Sequence, residues 1–153
     1  MPGKNHKFRS HCPINYGLEC FGDKWALLIL RDIVFRGKKT YGEFLKGEEG
    51  MATNILASRL DLLISSGILE KTRSPVDARS EIYQLTEKGL DLIPVLFEIT
   101  LWSSKHDEKS EAKRIPKLIT LIEKNNRRIS RVVREKVKAG QGIVYDYLAK
   151  VLV

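Results

Sequence analysis

A chain of 153 residues with 42% hydrophobic and 8% aromatic residues can bury one well-packed domain plus an appendage, and is short for two full domains. Its longest apolar runs, WALLIL and ITLI, are far too short to span a bilayer, and Cys12 and Cys20, with no Cys-x-x-Cys, make neither a zinc knuckle nor a disulfide framework. A net charge of +8 and a pI near 9.5 suit a polyanionic partner, either nucleic acid or an acidic membrane. The excess is uneven: residues 1–106 carry a net +2, whereas residues 107–153, with 12 basic and 6 acidic side chains, carry a net +6. The opening residues do not read as a secretory leader, so the expected location is cytoplasmic.

Residues 1–11 read as a polar arm with Lys4, Lys7 and Arg9, expected to be loosely ordered. Pro13 suits the first turn of a helix in which Ile14, Leu18 and Phe21 recur on one face until Gly22 breaks the pattern. Asp23 can cap a second helix, KWALLILRDIVF. Trp25, Leu28, Ile29 and Ile33 share one face of it, and Leu27, Leu30 and Val34 widen that face. So broad an apolar surface belongs at the centre of the core, and Trp25 is expected there. After the turn RGKK, Thr40 and Glu43 have the spacing of a capping box, so a short helix starts there with Phe44 and Leu45 inward.

In MATNILASRLDLLISSG, Leu56, Leu60, Leu63 and Gly67 form one stripe, Asn54, Ser58 and Asp61 lie on another side, and Gly67 ends the helix. ILEKTRS and EIYQL are β-prone runs around the tip PVDAR, a hairpin with a longer loop. Thr86 can cap a helix running to about Lys105, with Leu90, Val95, Leu96, Ile99 and Trp102 apolar. Two helices after a capped turn, closed by a two-stranded hairpin, give the expected class. It is mainly α with a small β-hairpin, a winged helix-turn-helix followed by a C-terminal helical extension.

That extension has its own pattern. Pro116 suits the start of a helix ending at a Gly stop. Leu118, Ile122, Ile129, Val133 and Val137 hold one face, interrupted by Asn125 and Asn126. Lys124, Arg127, Arg128, Arg131, Arg134 and Lys138 crowd the others. At 1.5 Å per residue the helix would extend roughly 35 Å. Its apolar stripe must pack on its own domain or on a second subunit, and its basic side suits phosphate. With no aromatic residue on the apolar side, membrane binding is not expected. IVYDYLAKVLV suggests a last short helix.

The pieces CP, GDKWALLILRDI, LASRLDLLISSGILEKT and YQLTEKG, the last followed by LDLIPVLFEITLW, stand in this order over residues 12–106. In them the chain resembles the HxlR-type regulators, a winged-helix group related to the MarR family. The resemblance divides the chain into an arm (1–11), a DNA-binding domain with dimerisation helices (12–106) and a basic extension (107–153) beyond the usual end of the family. It implies a homodimeric transcription regulator that binds double-stranded DNA sequence-specifically. The helix from about Ala52 to Ser66 would enter the major groove, N-terminal end first. Thr53, Asn54 and Ser58 would lie at base edges or adjacent phosphates, Lys39, Arg59 and Arg73 on the DNA backbone, and Arg79 at the wing contact. Ala52 stands where the family often has a capping Ser.

Each of these residues also has a plainer reading. Thr53 and Asn54 can serve only the helix N-terminus, Arg59 can pair with Glu48 or Glu49, and Asp77 can shape the wing. In some relatives the cysteine at the position of Cys12 senses oxidants. A thiol at a helix start beside His11 and near Lys7 and Arg9 has reason to be acidic, the alternative being an inert packing thiol such as Cys20. An oxidant or a small molecule is therefore a candidate effector. There is no P-loop, G-x-S-x-G or H-E-x-x-H, and His6, His11 and His106 are not expected to share a cleft, so no catalytic residue or cofactor is expected. No metal is expected either, because His6, His11 and Cys12 lack fixed geometry and a fourth ligand. The competing functions are a nonspecific or architectural DNA binder driven by the basic extension, and a winged-helix module that binds protein.

Overall fold

Capping residues decide where the helices of this chain begin. Asp23 accepts hydrogen bonds from the backbone N–H groups of Trp25 and Ala26, both at 3.0 Å, and starts α2 (Lys24–Arg36) after α1 (Pro13–Phe21) has ended. Thr40 and Glu43 form the expected capping box at α3 (Tyr41–Leu45), each side chain accepting from the other's end of the first turn. The computed structural model describes residues 7–143. Beyond α3 come α4 (Thr53–Ser65), β1 (Leu69–Arg73), β2 (Glu81–Leu85), α5 (Glu87–Leu90), α6 (Ile93–His106), a 3₁₀ turn at Glu111–Arg114 and α7 (Pro116–Lys138). Gly67 ends the α4 segment at φ 74°, a backbone that favours glycine.

The core gathers one face from nearly every element: Ile29, Leu30 and Ile33 of α2, Leu56, Leu60 and Leu63 of α4, and Ile93 and Phe97 of α6. Each such side chain contributes about 1.5–3 kcal/mol by leaving water. The winged helix-turn-helix is α2, α3 and α4 closed by an antiparallel hairpin in which Leu69 faces Leu85 and Arg73 faces Glu81. A lone hairpin is marginal in water, so this one is held from below. Leu69 and Tyr83 are buried, the Tyr83 ring packs edge-on against Phe44 with centroids 6.1 Å apart, and the Tyr83 N–H donates to the Lys39 carbonyl at 2.7 Å.

The extension is part of the same core. Leu118, Ile122, Ile129 and Val133 are all buried with the winged-helix residues. Asn125 and Asn126 do more than interrupt the stripe. Asn125 leaves helical geometry (φ −160°, ψ 80°) and its side-chain oxygen accepts from the Arg128 N–H at 3.0 Å, so it caps a second helical segment within α7. Asn126 donates to the Pro94 carbonyl at 3.1 Å and to Glu98 at 2.7 Å, which stitches α7 to α6.

Four expectations change. Trp25 is half-buried outside the core cluster, with the Lys24 ammonium 5.2 Å from its ring, because Ala26, Ile29, Leu30, Ile33 and Val34 form the inward face instead. Ile14 and Leu18 are 72% and 60% exposed, so the α1 stripe faces out of this chain. The helix expected from Thr86 to Lys105 is two, α5 and α6, because Pro94 has no N–H to offer the Leu90 carbonyl. The arm is anchored before residue 11, since Phe8 packs on the core and its ring lies 4.8 Å from that of Tyr16. The terminal helix expected in IVYDYLAKVLV falls outside the described residues except for Ile143.

Candidate nucleic-acid interface

The first turn of α4 is open to solvent. Ala52 occupies the N-cap and supplies no side-chain acceptor, so the leading amides are left uncapped, and Thr53, Asn54 and Ser58 are exposed around them. The Tyr41 hydroxyl donates to the Thr53 carbonyl at 3.0 Å, which fixes this end of α4 to α3. Uncapped amides at the positive end of a helix favour an anion. Thr53 and Asn54 therefore do not serve as caps; their side chains form no hydrogen bond among the described residues.

The hairpin tip is built by short polar residues. Ser74 accepts from the N–H groups of Val76 and Asp77 at 3.2 and 3.3 Å. Asp77 accepts from the Arg79 N–H and from the Ser80 hydroxyl, both at 3.0 Å. Asp77 is thus a wing-shaping residue that holds the Arg79 backbone and leaves its guanidinium without an ion pair among the described residues. Arg73 is likewise exposed and free of one, because Glu81, across the ladder, pairs with Lys71 at 3.3 Å. Arg73 and Arg79 both line a cleft of about 650 Å³ between the wing and the start of α3.

Two predicted contacts face other parts of the fold. Arg59 donates to Asp23 at 2.7 Å, tying α4 to the α2 cap, and to the Ser58 hydroxyl at 3.1 Å. Partial burial raises the Asp23 pKa, but Arg59 and the amides of Ala26 and Trp25 outweigh it and leave it lowered. Neither Glu48 nor Glu49, the acids offered as partners for Arg59, pairs with it; Glu49 is taken by Arg31, whose hydrogen bonds bring the Glu49 pKa down to about 2. The Lys39 side chain turns towards the end of the extension: a Cβ built on Gly140 would lie 3.2 Å from its Nζ. Neither partner was legible, because Asp23 is 36 residues from Arg59 and Gly140 carries no side chain to signal contact.

Cys12 is exposed at the α1 N-cap and Cys20 is buried. The backbone N–H groups of Asn15 and Ile14 lower the Cys12 thiol pKa below its ordinary value, although neither reaches hydrogen-bond geometry with the sulfur. The cause is the helix start, with no contribution from Lys7, Arg9 or His11. No group of three or more His, Cys, Asp or Glu able to hold a metal occurs among the described residues, and no helix there is long and apolar enough to cross a membrane. His6 lies outside them.

Residues 20–111 match the profile of the HxlR-like helix-turn-helix family. Over 107 residues the chain is 29% identical to Rv3095 of Mycobacterium tuberculosis, named an uncharacterized HTH-type transcriptional regulator; the match covers 70% of this chain and 66% of that protein. The solved structure of PA1607, a candidate transcription factor, superposes with a TM-score of 0.61 at 35% identity over 67% of this chain and 70% of that one. A candidate MarR-family regulator from Porphyromonas gingivalis superposes with a TM-score of 0.55 at 26% identity, covering 67% of this chain and 99% of that chain. With its capped α3, open α4 and anchored wing, this chain belongs to the HxlR-like helix-turn-helix family of transcriptional regulators.

Proposed function

We propose that the protein binds duplex DNA sequence-specifically as a homodimer, with α4 in the major groove and the wing on the backbone or in the minor groove. The observation that carries this reading is the exposed, uncapped N-terminal face of α4 beside a cleft walled by two arginines free of ion pairs. Asn54 offers the donor–acceptor pair that fits adenine, and Thr53 and Ser58 offer hydroxyls for bases or phosphates. Arg73 and Arg79 take backbone phosphates, whereas Arg59 is held by Asp23 and the Lys39 ammonium faces the extension unless DNA draws them out. Dimerisation is supported by the apolar side chains left outside: Ile14 and Leu18 on α1, with Ile99 and Trp102 on α6 at 44% and 68% exposure. A two-fold dimer places its recognition helices about 34 Å apart, one turn of duplex. Such a regulator works in the cytoplasm.

Cys12 supports an oxidant-responsive version of this regulator, since it is the exposed, acid-shifted thiol of the two. The alternative, nonspecific binding through the extension, draws on Lys124, Arg127, Arg128 and Arg131, which are exposed and form no ion pair among the described residues. Two variants separate the readings. Asn54→Ala is expected to weaken binding to the operator by about 1–3 kcal/mol and leave binding to unrelated duplex unchanged. If removing the four extension cations costs more operator affinity than Asn54→Ala, and Asn54→Ala costs nothing, the nonspecific reading stands instead.

A further inference from the structure

The extension closes one side of a cleft that the winged helix alone would leave open. Ile33 of α2, Leu85 of β2 and Leu90 of α5 form an apolar wall, and Val137 and Gln141 at the end of α7 face it. The cavity is about 420 Å³, within the range of roughly 300–1,000 Å³ for small-molecule sites. Its outer wall is pinned in place. Arg134 donates to Glu87 and, at 2.8 Å, to Asp91; Lys138 pairs with Glu87 at 2.9 Å. The Ile143 N–H donates to the Val34 carbonyl at 3.2 Å, and Gly142 approaches Gly37 so closely that a Cβ there would sit 2.6 Å from the Gly37 nitrogen.

The charges in this cleft are not equivalent. Lys38 is held by Asp32 at 3.0 Å, and Lys138 by Glu87. Lys39 has no carboxylate within ion-pair distance among the described residues. The Glu43 carboxylate accepts from the Lys39 backbone N–H at 2.8 Å but lies beyond ion-pair distance of its ammonium, which stands against Gly140 in the extension wall. A cation so placed beside apolar surface favours a carboxylate. Glu70 also borders the cleft and forms no ion pair among the described residues, so it repels a second negative charge. We propose that this cleft is an effector site for a small monocarboxylate with an apolar body, the carboxylate on Lys39 and the body against Ile33, Leu85, Leu90 and Val137.

The position gives the ligand leverage. The Lys39 carbonyl receives the Tyr83 N–H at 2.7 Å, so the ligand's anchor residue is also the joint between the α3 turn and the wing. A ligand that draws Lys39 towards the extension shifts the wing relative to α4. Binding to the cleft is independent of the DNA-binding reading; only its consequence for DNA rests on it.

The full chain is titrated with hexanoate and phenylacetate, and in parallel with hexylamine, phenethylamine and adipate, by calorimetry and two-dimensional NMR. The two monocarboxylates are expected to saturate a single site with shifts at Gly140 and Leu85. Lys39→Gln, by loss of a charge-assisted contact, and Val137→Trp, by filling the cleft, each verified as folded by circular dichroism, weaken that site by about tenfold or more. Amines or adipate binding as well as the monocarboxylates, affinity unchanged in Lys39→Gln, or no saturable binding by about 10 mM each overturns the proposal. Monocarboxylate binding that leaves DNA affinity unchanged removes the effector role. Failure of the unliganded protein to bind any duplex instead counts against the regulator reading and leaves the cleft result standing.

Discussion

Replacing Ile122 by alanine tests whether the extension folds as one unit with the winged helix. Ile122 is 1% exposed in α7, in a cluster with Leu118, Ile129 and Val133. Truncating such a side chain removes its transfer energy and leaves a cavity, at a cost of about 2–5 kcal/mol. The close packing of α6 and α7 leaves little room to collapse, so about 3 kcal/mol is the expected loss. For a chain of this size each kcal/mol lowers Tm by about 2–4 °C, so the melt should fall by about 6–12 °C. Thermal melts by circular dichroism at fixed protein concentration measure this, since association makes Tm concentration-dependent. Lys124→Ala, exposed on the same helix, is the control and should stay within about 0.5 kcal/mol. A fall below about 2 °C, or two separate transitions with only one affected, would refute the reasoning, because α7 would then be melting apart from the core.

Glu49 should titrate near pH 2, well below the ordinary carboxylate range, because Arg31 holds it ionised. Its contribution to stability is therefore complete above about pH 4.5 and lost as pH falls towards 2; acid-unfolding curves of Glu49→Gln should be flatter in that window, and identical curves would contradict the pairing. In Gly89→Ala the new Cβ would stand 2.2 Å from the Ile68 carbonyl oxygen, so the wing base must shift from α5; a large loss of stability is expected, and an unchanged Tm would contradict this packing. Arg79→Ala should reduce the slope of log affinity against log salt by about one, the signature of a single lost phosphate contact, and an unchanged slope would free Arg79 of that role. Cys12 should react with iodoacetamide well before the buried Cys20 under native conditions, with mass spectrometry of the peptides as the readout; equal rates would remove the basis for oxidant sensing.

Local chemistry was readable from the sequence where a few adjacent residues decide the outcome. Asp23, Thr40 with Glu43, and Thr86 cap their helices as expected, and Leu56, Leu60 and Leu63 fill the core from one stripe. The same periodicity misplaced Trp25, Ile14 and Leu18, because an apolar residue at helical spacing does not say whether its partner lies in the same chain. Asn125 shows another limit. It interrupts the stripe in the sequence, but that it caps a second segment depends on its backbone angles in the packed helix. The candidate site was legible as exposed polar residues on α4 and the wing. The diversion of Arg59 to Asp23 and of Lys39 to the extension was not, since both depend on which distant elements the fold brings together.

Sequence-specific duplex binding is the central claim, and competition at rising salt tests it directly. Fluorescence anisotropy would follow the full chain on the duplex lying just upstream of its own coding region, beside a shuffled duplex of equal length. Nonspecific contacts weaken steeply as salt rises, so at about physiological ionic strength the upstream duplex is expected to keep an advantage of about a thousandfold or more. Two curves that fall together, there and on every genomic duplex recovered by selection, would contradict the account and leave the charge of the extension as the basis of binding.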